Sequence, residues 1–533
     1  MRPRASVLFL TLFCPAPAWS QGSAPFTLPG TQPGEGGLRL DTVESCTGCH
    51  ARTPNGQADP YFSWQTGLMS LATKDPVFRA AMAIANQDVP GSGEFCLRCH
   101  TPQGFFAGRT RPADGSDLQP EDLHGVTCAL CHRLVDPRSQ EATWLARSVP
   151  PGLGNAMMVV DPAYTMRGPY GDDRAAQMRP HRAKRSAFLA GGDVCGTCHD
   201  VSNPMQAADV QTQPPHAYGH IERTYSEWAL SDYAQQGRAG SCQACHYPAV
   251  AGGGYPTVYR QLPKREYFVE HGAAGGSTWV QDAIWLVWDG KDLDRQALER
   301  GKEKARKLLR TAATLEIAFP DAGRARLRIT NNTGHKLPTG YPEGRRMWVN
   351  ARLYDAAGKL LDEIGRYGEK DDIIYGRPAK LPTLLDPERT RVYECLPAMS
   401  EAQAAKFGKK PGPSFFFVLN DVIAKDNRIP PKGFKNDAFR ERQCAPVAAT
   451  YADGQHWDDV EIDLPPGTAR VEVRLMYQSV SAEYVKFFTE EDKSSDWGRR
   501  VYEAWTRTGY CPPEVIAEIA AEVGPGVAGR PGD

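Results

Sequence analysis

Five short segments of this 533-residue chain repeat one arrangement of reactive side chains, Cys-x-x-Cys-His. They are CTGCH (Cys46, Cys49, His50), CLRCH (Cys96, Cys99, His100), CALCH (Cys128, Cys131, His132), CGTCH (Cys195, Cys198, His199) and CQACH (Cys242, Cys245, His246). Two thiols three residues apart with an imidazole immediately after them form the attachment signal for c-type haem. The thiols become thioethers to the porphyrin vinyl groups, and the histidine becomes the proximal iron ligand. The three groups must be this close because one short loop has to grip the porphyrin edge and reach the iron. A single copy would fit a redox dithiol or part of a zinc site. Zinc ribbons, however, pair CxxC knuckles without an obligatory trailing His. Five copies, each followed at once by His, predict five covalently bound haem c groups.

Each iron has a second axial position, which seven histidines outside the motifs are available to fill: His124, His181, His216, His220, His271, His335 and His456. Imidazole is a common axial ligand of haem iron, so five irons in one chain raise the expectation for each above that of a surface histidine. His124 lies four residues before Cys128 and so close to a haem edge. His181 precedes the fourth motif in a position to serve a neighbouring haem. His271 stands in VEHGAAGG, where glycines permit close backbone approach to a porphyrin. His335 occupies TGHKLPTGYPEGRR, a loop braced by Gly and Pro between two strands, and would bring a second domain against the haem region. His216 and His220 are weaker candidates, and His456 reads as part of a solvated loop.

The elements that must position these groups change character along the chain. Residues 1–20 read as a signal peptide: Arg2 and Arg4 precede the mostly apolar stretch Val7 to Phe13, and Ala18-Trp19-Ser20 offers a small-x-small cleavage site. Residues 21–40 form a Gly-, Pro- and Thr-rich lead-in. A loop-rich haem domain follows over 41–250, with short helices such as Asp75 to Gln87. Here porphyrins stand in for much of an apolar core. A helical connector spans 251–312, and its helix is expected from Asp292 to Arg310. Alternation of period two then begins at Leu315, Ile317 and Phe319. It recurs at Ala325, Leu327 and Ile329, over Met347 to Tyr354, and at Val471, Val473, Leu475 and Tyr477. Residues 313–490 are therefore expected to be β-rich, with 491–533 as a tail. The predicted class is α+β and multidomain, a mainly helical, loop-rich pentahaem domain followed by an antiparallel β-rich one.

The 62 Lys and Arg balance 63 Asp and Glu to a net charge of −1, which points away from nucleic acid. Haem propionates would make the loaded protein more acidic, with some Arg and Lys as their partners. Of 14 cysteines, ten lie in the motifs and Cys14 in the leader; an oxidising compartment would permit one disulfide among Cys395, Cys444 and Cys511. No later stretch approaches the length of a membrane span. Export with release to the periplasm or medium is the expectation, with no transmembrane anchor after signal cleavage.

The segments CGTCHDVSNP, ERTYSEWALSDYA, CQACHYP, TGHKLPTGYPEGRRMW and DNRIPPKGF resemble those of secreted multihaem c-type cytochromes, in the superfamily of cytochrome c-554 and the hydroxylamine-oxidoreductase-like proteins. The resemblance spans roughly residues 40 to 510. It implies electron transfer, with His181, His271 and His335 as distal ligands. One departure stands out. Related chains often carry Trp followed five residues later by a ligand His, whereas here Trp64 is followed by Met69. Met69 is either core packing or a ligand that raises its haem's potential. The leading functional expectation is an electron carrier working between redox protein partners, such as other cytochromes or a membrane oxidoreductase. The alternative is an oxidoreductase acting on a small nitrogen or sulfur compound at one open-site haem. A third possibility gives the β-rich half a docking role.

Overall fold

A computed structural model describes residues 27–170, 181–259, 262–321 and 323–524. The leader and residues 21–26 of the lead-in lie outside these. The chain is a mixture of short helices and antiparallel sheets.

Residues i, i+3 and i+4 of an α-helix share one face, so a CxxCH motif on a single turn presents both thiols and the imidazole together. Four of the motifs do lie on short helices: Val43–His50, Gly93–His100, Cys128–Arg133 and Cys242–His246. The fourth begins on the turn Asp193–Gly196, and the His199 N–H reaches back to the Cys195 carbonyl at 2.9 Å, which continues the helical spacing. The long helix of this region runs from Pro76 to Asp88. Proline at its first position and the Asp75 carboxylate, which accepts from the Val77 N–H at 2.8 Å, set its start. It buries Val77, Ala80 and Ile84, while Phe78 is only half-buried and turns toward His100.

The connector contains the helices Val280–Val287 and Arg295–Leu309. Beyond them come strands β1 (Ala313–Asp321), β2 (Arg324–Asn331), β3 (Arg346–Tyr354), β4 (Leu360–Ile364), β5 (Trp457–Asp463), β6 (Arg470–Gln478) and β7 (Glu514–Glu522). One sheet has the order β5-β2-β1, the other β4-β3-β6-β7, with Val392–Tyr393 also paired to β3. Leu327 and Ile329 of the first sheet pack against Val349, Leu353, Val473 and Leu475 of the second, all at most 2% exposed. Alternate residues of each strand thus fill one shared core, as in a β-sandwich.

The last segment, described over residues 491–524 with 525–533 outside the described residues, differs from its reading as a tail. Helix Trp497–Arg507 buries Val501, Ala504 and Trp505 in the same cluster as Ala80 and Ile84 of the haem region and Ala283 and Ile284 of the connector. Strand β7 pairs along β6. Apolar residues at helical spacing, followed by a partner for an otherwise open sheet edge, hold this segment in the body of the molecule. Cys395, Cys444 and Cys511 are buried as free thiols. With no helix among the described residues long and apolar enough to cross a membrane, no spanning helix is present there.

Candidate haem-ligating centres

Three of the five motif imidazoles are each faced by a histidine from a distant part of the chain. His50 faces His181 with ring centres 6.3 Å apart and planes 16° from parallel. His132 faces His271 at 6.4 Å and 27°, and His246 faces His335 at 6.3 Å and 32°. A metal–imidazole bond of about 2.0–2.1 Å, extended by about 1.1 Å from nitrogen to ring centre on each side, puts two rings on one metal about 6.3 Å apart. The observed separations match that requirement.

The remaining ring nitrogens fix which atom is free. Nδ1 of His50 lies 2.7 Å from the Pro256 carbonyl, that of His132 2.6 Å from Arg167, and that of His246 2.6 Å from Ala274. His335 Nδ1 lies 2.9 Å from the Lys336 carbonyl. A carbonyl can only accept, so each Nδ1 carries the proton and each Nε2 offers its lone pair. Burial pushes His100, His246 and His271 down to about 4, which keeps these imidazoles neutral at ordinary pH. Neutral imidazoles bind a metal without first losing a proton. Among the described residues no group of three or more His, Cys, Asp or Glu side chains converges to hold a metal ion. Two opposed imidazoles alone leave a transition metal under-coordinated; they complete the coordination of one already held by the four nitrogens of a porphyrin. The residues present therefore fit covalently attached haem, with the motif cysteines as its anchors.

The motifs also touch one another. The thiols of Cys46 and Cys128, of Cys99 and Cys198, and of Cys195 and Cys242 lie against each other, and Cys131 is in the field of Cys198. Neighbours in space are thus motifs one and three, three and four, two and four, and four and five. Their sequence order is not their spatial order.

Among the described residues, no second imidazole faces His100 or His199. His100 donates from Nδ1 to the Ala72 carbonyl at 3.2 Å and stacks on Phe78 with ring centres 3.6 Å apart. His199 differs in its partner: Nδ1 meets Oε1 of Glu222 at 3.3 Å. Burial disfavours its charged form, yet the carboxylate outweighs burial and raises the pKa to about 9.

Of the other candidate ligands, His124 and Met69 are engaged elsewhere. His124 points Nε2 at Glu44 Oε1, 3.3 Å away, with its ring 6.3 Å from that of Trp64. The Met69 sulfur accepts from the Tyr247 hydroxyl at 3.8 Å. His216 is pushed by burial to about 4, and His456 is half-buried against Trp457. The glycine after His271 has a different use from the expected approach to porphyrin. A Cβ at Gly272 would come within 2.2 Å of the Ser63 carbonyl, so this loop packs against the chain itself. The His271 N–H donates to Ser63 Oγ at 2.8 Å in the same contact.

The His335 loop, between β2 and β3, is held by buried charges absent from the sequence reading. Lys336 Nζ lies 2.6 Å from Asp426 Oδ2, and Arg428 Nη2 lies 2.6 Å from the same oxygen. Arg428 also lies 3.3 Å from Glu227, on helix Thr224–Ala229 of the haem region. Burial would raise the Asp426 pKa, but Arg428 and Lys336 outweigh it and hold the carboxyl well below its usual range. The Lys336 N–H donates to Glu227 Oε2 at 3.0 Å, which ties the loop to the haem region directly. At Gly344 (φ +73°) a Cβ would meet Tyr484 Cβ at 2.6 Å, so the loop's far end also requires glycine. Nearby, Glu343 is pushed up to about 8 by burial, beside the Tyr341 and Tyr484 hydroxyls, which lie 2.9 Å apart. Glu222 and Glu227 both lie in the ERTYSEW segment, yet nothing in their spacing marks their partners.

The sequence matches no family model and no curated protein. The fold is similar to that of a penta-heme cytochrome c552 from Thermochromatium tepidum, with a TM-score of 0.50 and 17% identity over 91% of this chain and 99% of that one. At this identity the likeness is one of fold alone.

Proposed function

We propose that this chain is an exported pentahaem c-type cytochrome that carries electrons between redox protein partners. The observation that carries the reading is the set of three opposed imidazole pairs, each at the separation a single iron requires. Bound haem would supply one-electron redox chemistry at each motif. His181, His271 and His335 act as distal ligands to the sites anchored by His50, His132 and His246. Opposed imidazoles keep the same ligand set in both oxidation states, which suits electron transfer without substrate binding. The mutual contacts of the motif cysteines support a connected path in which the fourth motif is the branch point.

Intact mass after acid precipitation should exceed the signal-cleaved polypeptide by five haem masses. Four or fewer would remove at least one motif from the reading. N-terminal sequencing of the exported protein should find the chain starting just after Ser20, and a membrane-retained chain with an intact leader would contradict export with release.

One observation favours the oxidoreductase alternative. His100 and His199 face no second imidazole among the described residues, which leaves two sites where a small nitrogen or sulfur compound would have access to iron. Low-temperature electron paramagnetic resonance of the oxidised protein separates the two readings. Five low-spin signals support the carrier, and a high-spin signal supports a substrate site.

A further inference from the structure

Among the five motif histidines, His199 alone hands its Nδ1 proton toward a carboxylate. The acceptor, Glu222 Oε1, also takes the Thr224 hydroxyl at 3.1 Å. Thr224 Oγ1 in turn lies 3.0 Å from Thr339 Oγ1, across the boundary with the His335 loop. Thr339 Oγ1 donates to Glu227 Oε2 at 2.6 Å, the oxygen that also receives the Lys336 N–H beside His335. A continuous polar chain thus joins the proximal histidine of the fourth motif to the loop presenting the histidine opposite the fifth. The Cys195–Cys242 contact places those two motifs side by side.

Proton counting shows what this chain does. Each threonine hydroxyl has one proton. Two protons must serve three contacts: Thr224 to Glu222, Thr224 with Thr339, and Thr339 to Glu227. When Thr339 gives its proton to Glu227, the Thr224 proton is divided between Thr339 and Glu222. Whatever Glu222 loses from Thr224 it seeks from His199. A stronger pull on Nδ1 makes the imidazole more anionic and a better donor to iron, which favours the oxidised state and lowers the potential.

We propose that Glu222 is a positioning residue that sets the potential of the fourth-motif haem, and that the Thr224–Thr339 bridge couples this setting to the seating of the His335 loop. The inference rests on the pentahaem reading.

Three variants test it by opposite signs. Glu222→Gln replaces the anion with a neutral acceptor and should raise one of the five potentials. Thr224→Val deprives Glu222 of its hydroxyl donor, so that potential should fall. Thr339→Val frees the Thr224 proton for Glu222, so the same potential should rise. Spectroelectrochemical titration reads all five, and intact mass reports haem loading independently. General disruption of packing would move both threonine variants the same way. Shifts of equal sign, or none, with five haems attached would overturn the bridge while leaving the pentahaem reading intact. A wild-type mass lacking haem on the Cys195–Cys198 peptide would overturn both.

Discussion

His335→Ala should leave all five haems attached while converting one of them from low-spin to high-spin, and that haem should bind carbon monoxide when reduced. The ring it removes is the one facing His246 at 6.3 Å. Attachment depends on Cys242 and Cys245, which the substitution leaves untouched. The loop itself should keep its place. Asn331 Nδ2 donates to the His335 backbone carbonyl at 2.8 Å, and Leu337 exchanges two backbone hydrogen bonds with Ile429 at 3.0 and 3.1 Å. Neither contact uses the imidazole. An unchanged spin state with no carbon monoxide adduct would reject His335 as a ligand and leave the β-rich domain only its docking role.

Asp426→Ala should destabilise the folded protein by about 3–5 kcal/mol, because it strips the shared counter-ion from two buried cations. Lys336 and Asp426 are 0% and 1% exposed, and Arg428 is 3% exposed. With Asp426 gone, Arg428 would keep Glu227 at 3.3 Å, and Lys336 Nζ would lose the carboxylate it contacts. Urea unfolding should show the loss as a lower midpoint with little change in slope. Removing the cation as well, as Lys336→Met together with Asp426→Ala, should recover part of the loss, since an uncompensated charge costs more than an absent pair. The pH dependence has a fixed sign. Asp426 has a pKa depressed by folding, so its contribution is complete above the ordinary aspartate pKa of about 3.9 and fades as pH falls toward the lower folded value. The acid limb of wild-type stability should accordingly be steeper than that of the variant. Equal stability of the two proteins near neutral pH would show that water, not Asp426, solvates these cations.

The Cys-x-x-Cys-His sites proposed to attach haem were legible because their chemistry is local. Cys, Cys and His at i, i+3 and i+4 need only one turn of helix to present a common face, and nothing distant has to be known. The sandwich strands were legible for a similar reason. Alternation at Leu327 and Ile329, and at Val473 and Leu475, records which side of each strand meets the core. Helix Arg295–Leu309 announced itself through its apolar period, whereas its start at the Asp294 cap, whose Oδ1 takes the Gln296 N–H at 2.9 Å, became visible only in the structure.

Tertiary structure decided the rest. Which histidine faces which motif depends on bringing together residues as far apart as His50 and His181, and no local pattern encodes that meeting. Gly272 illustrates the same limit: its lack of a side chain was clear, but the Ser63 carbonyl that requires it was not. Residues 491–524 looked peripheral until β7 paired with β6 and Trp505 entered a core shared with the haem region. Glu222, Glu227 and Asp426 lie in segments that carried the family resemblance, yet nothing in those segments marked their partners. A carboxylate in a sequence reads as solvated surface, and only folding, by removing water from around it, turns its partners into the determinants of charge, position and redox chemistry.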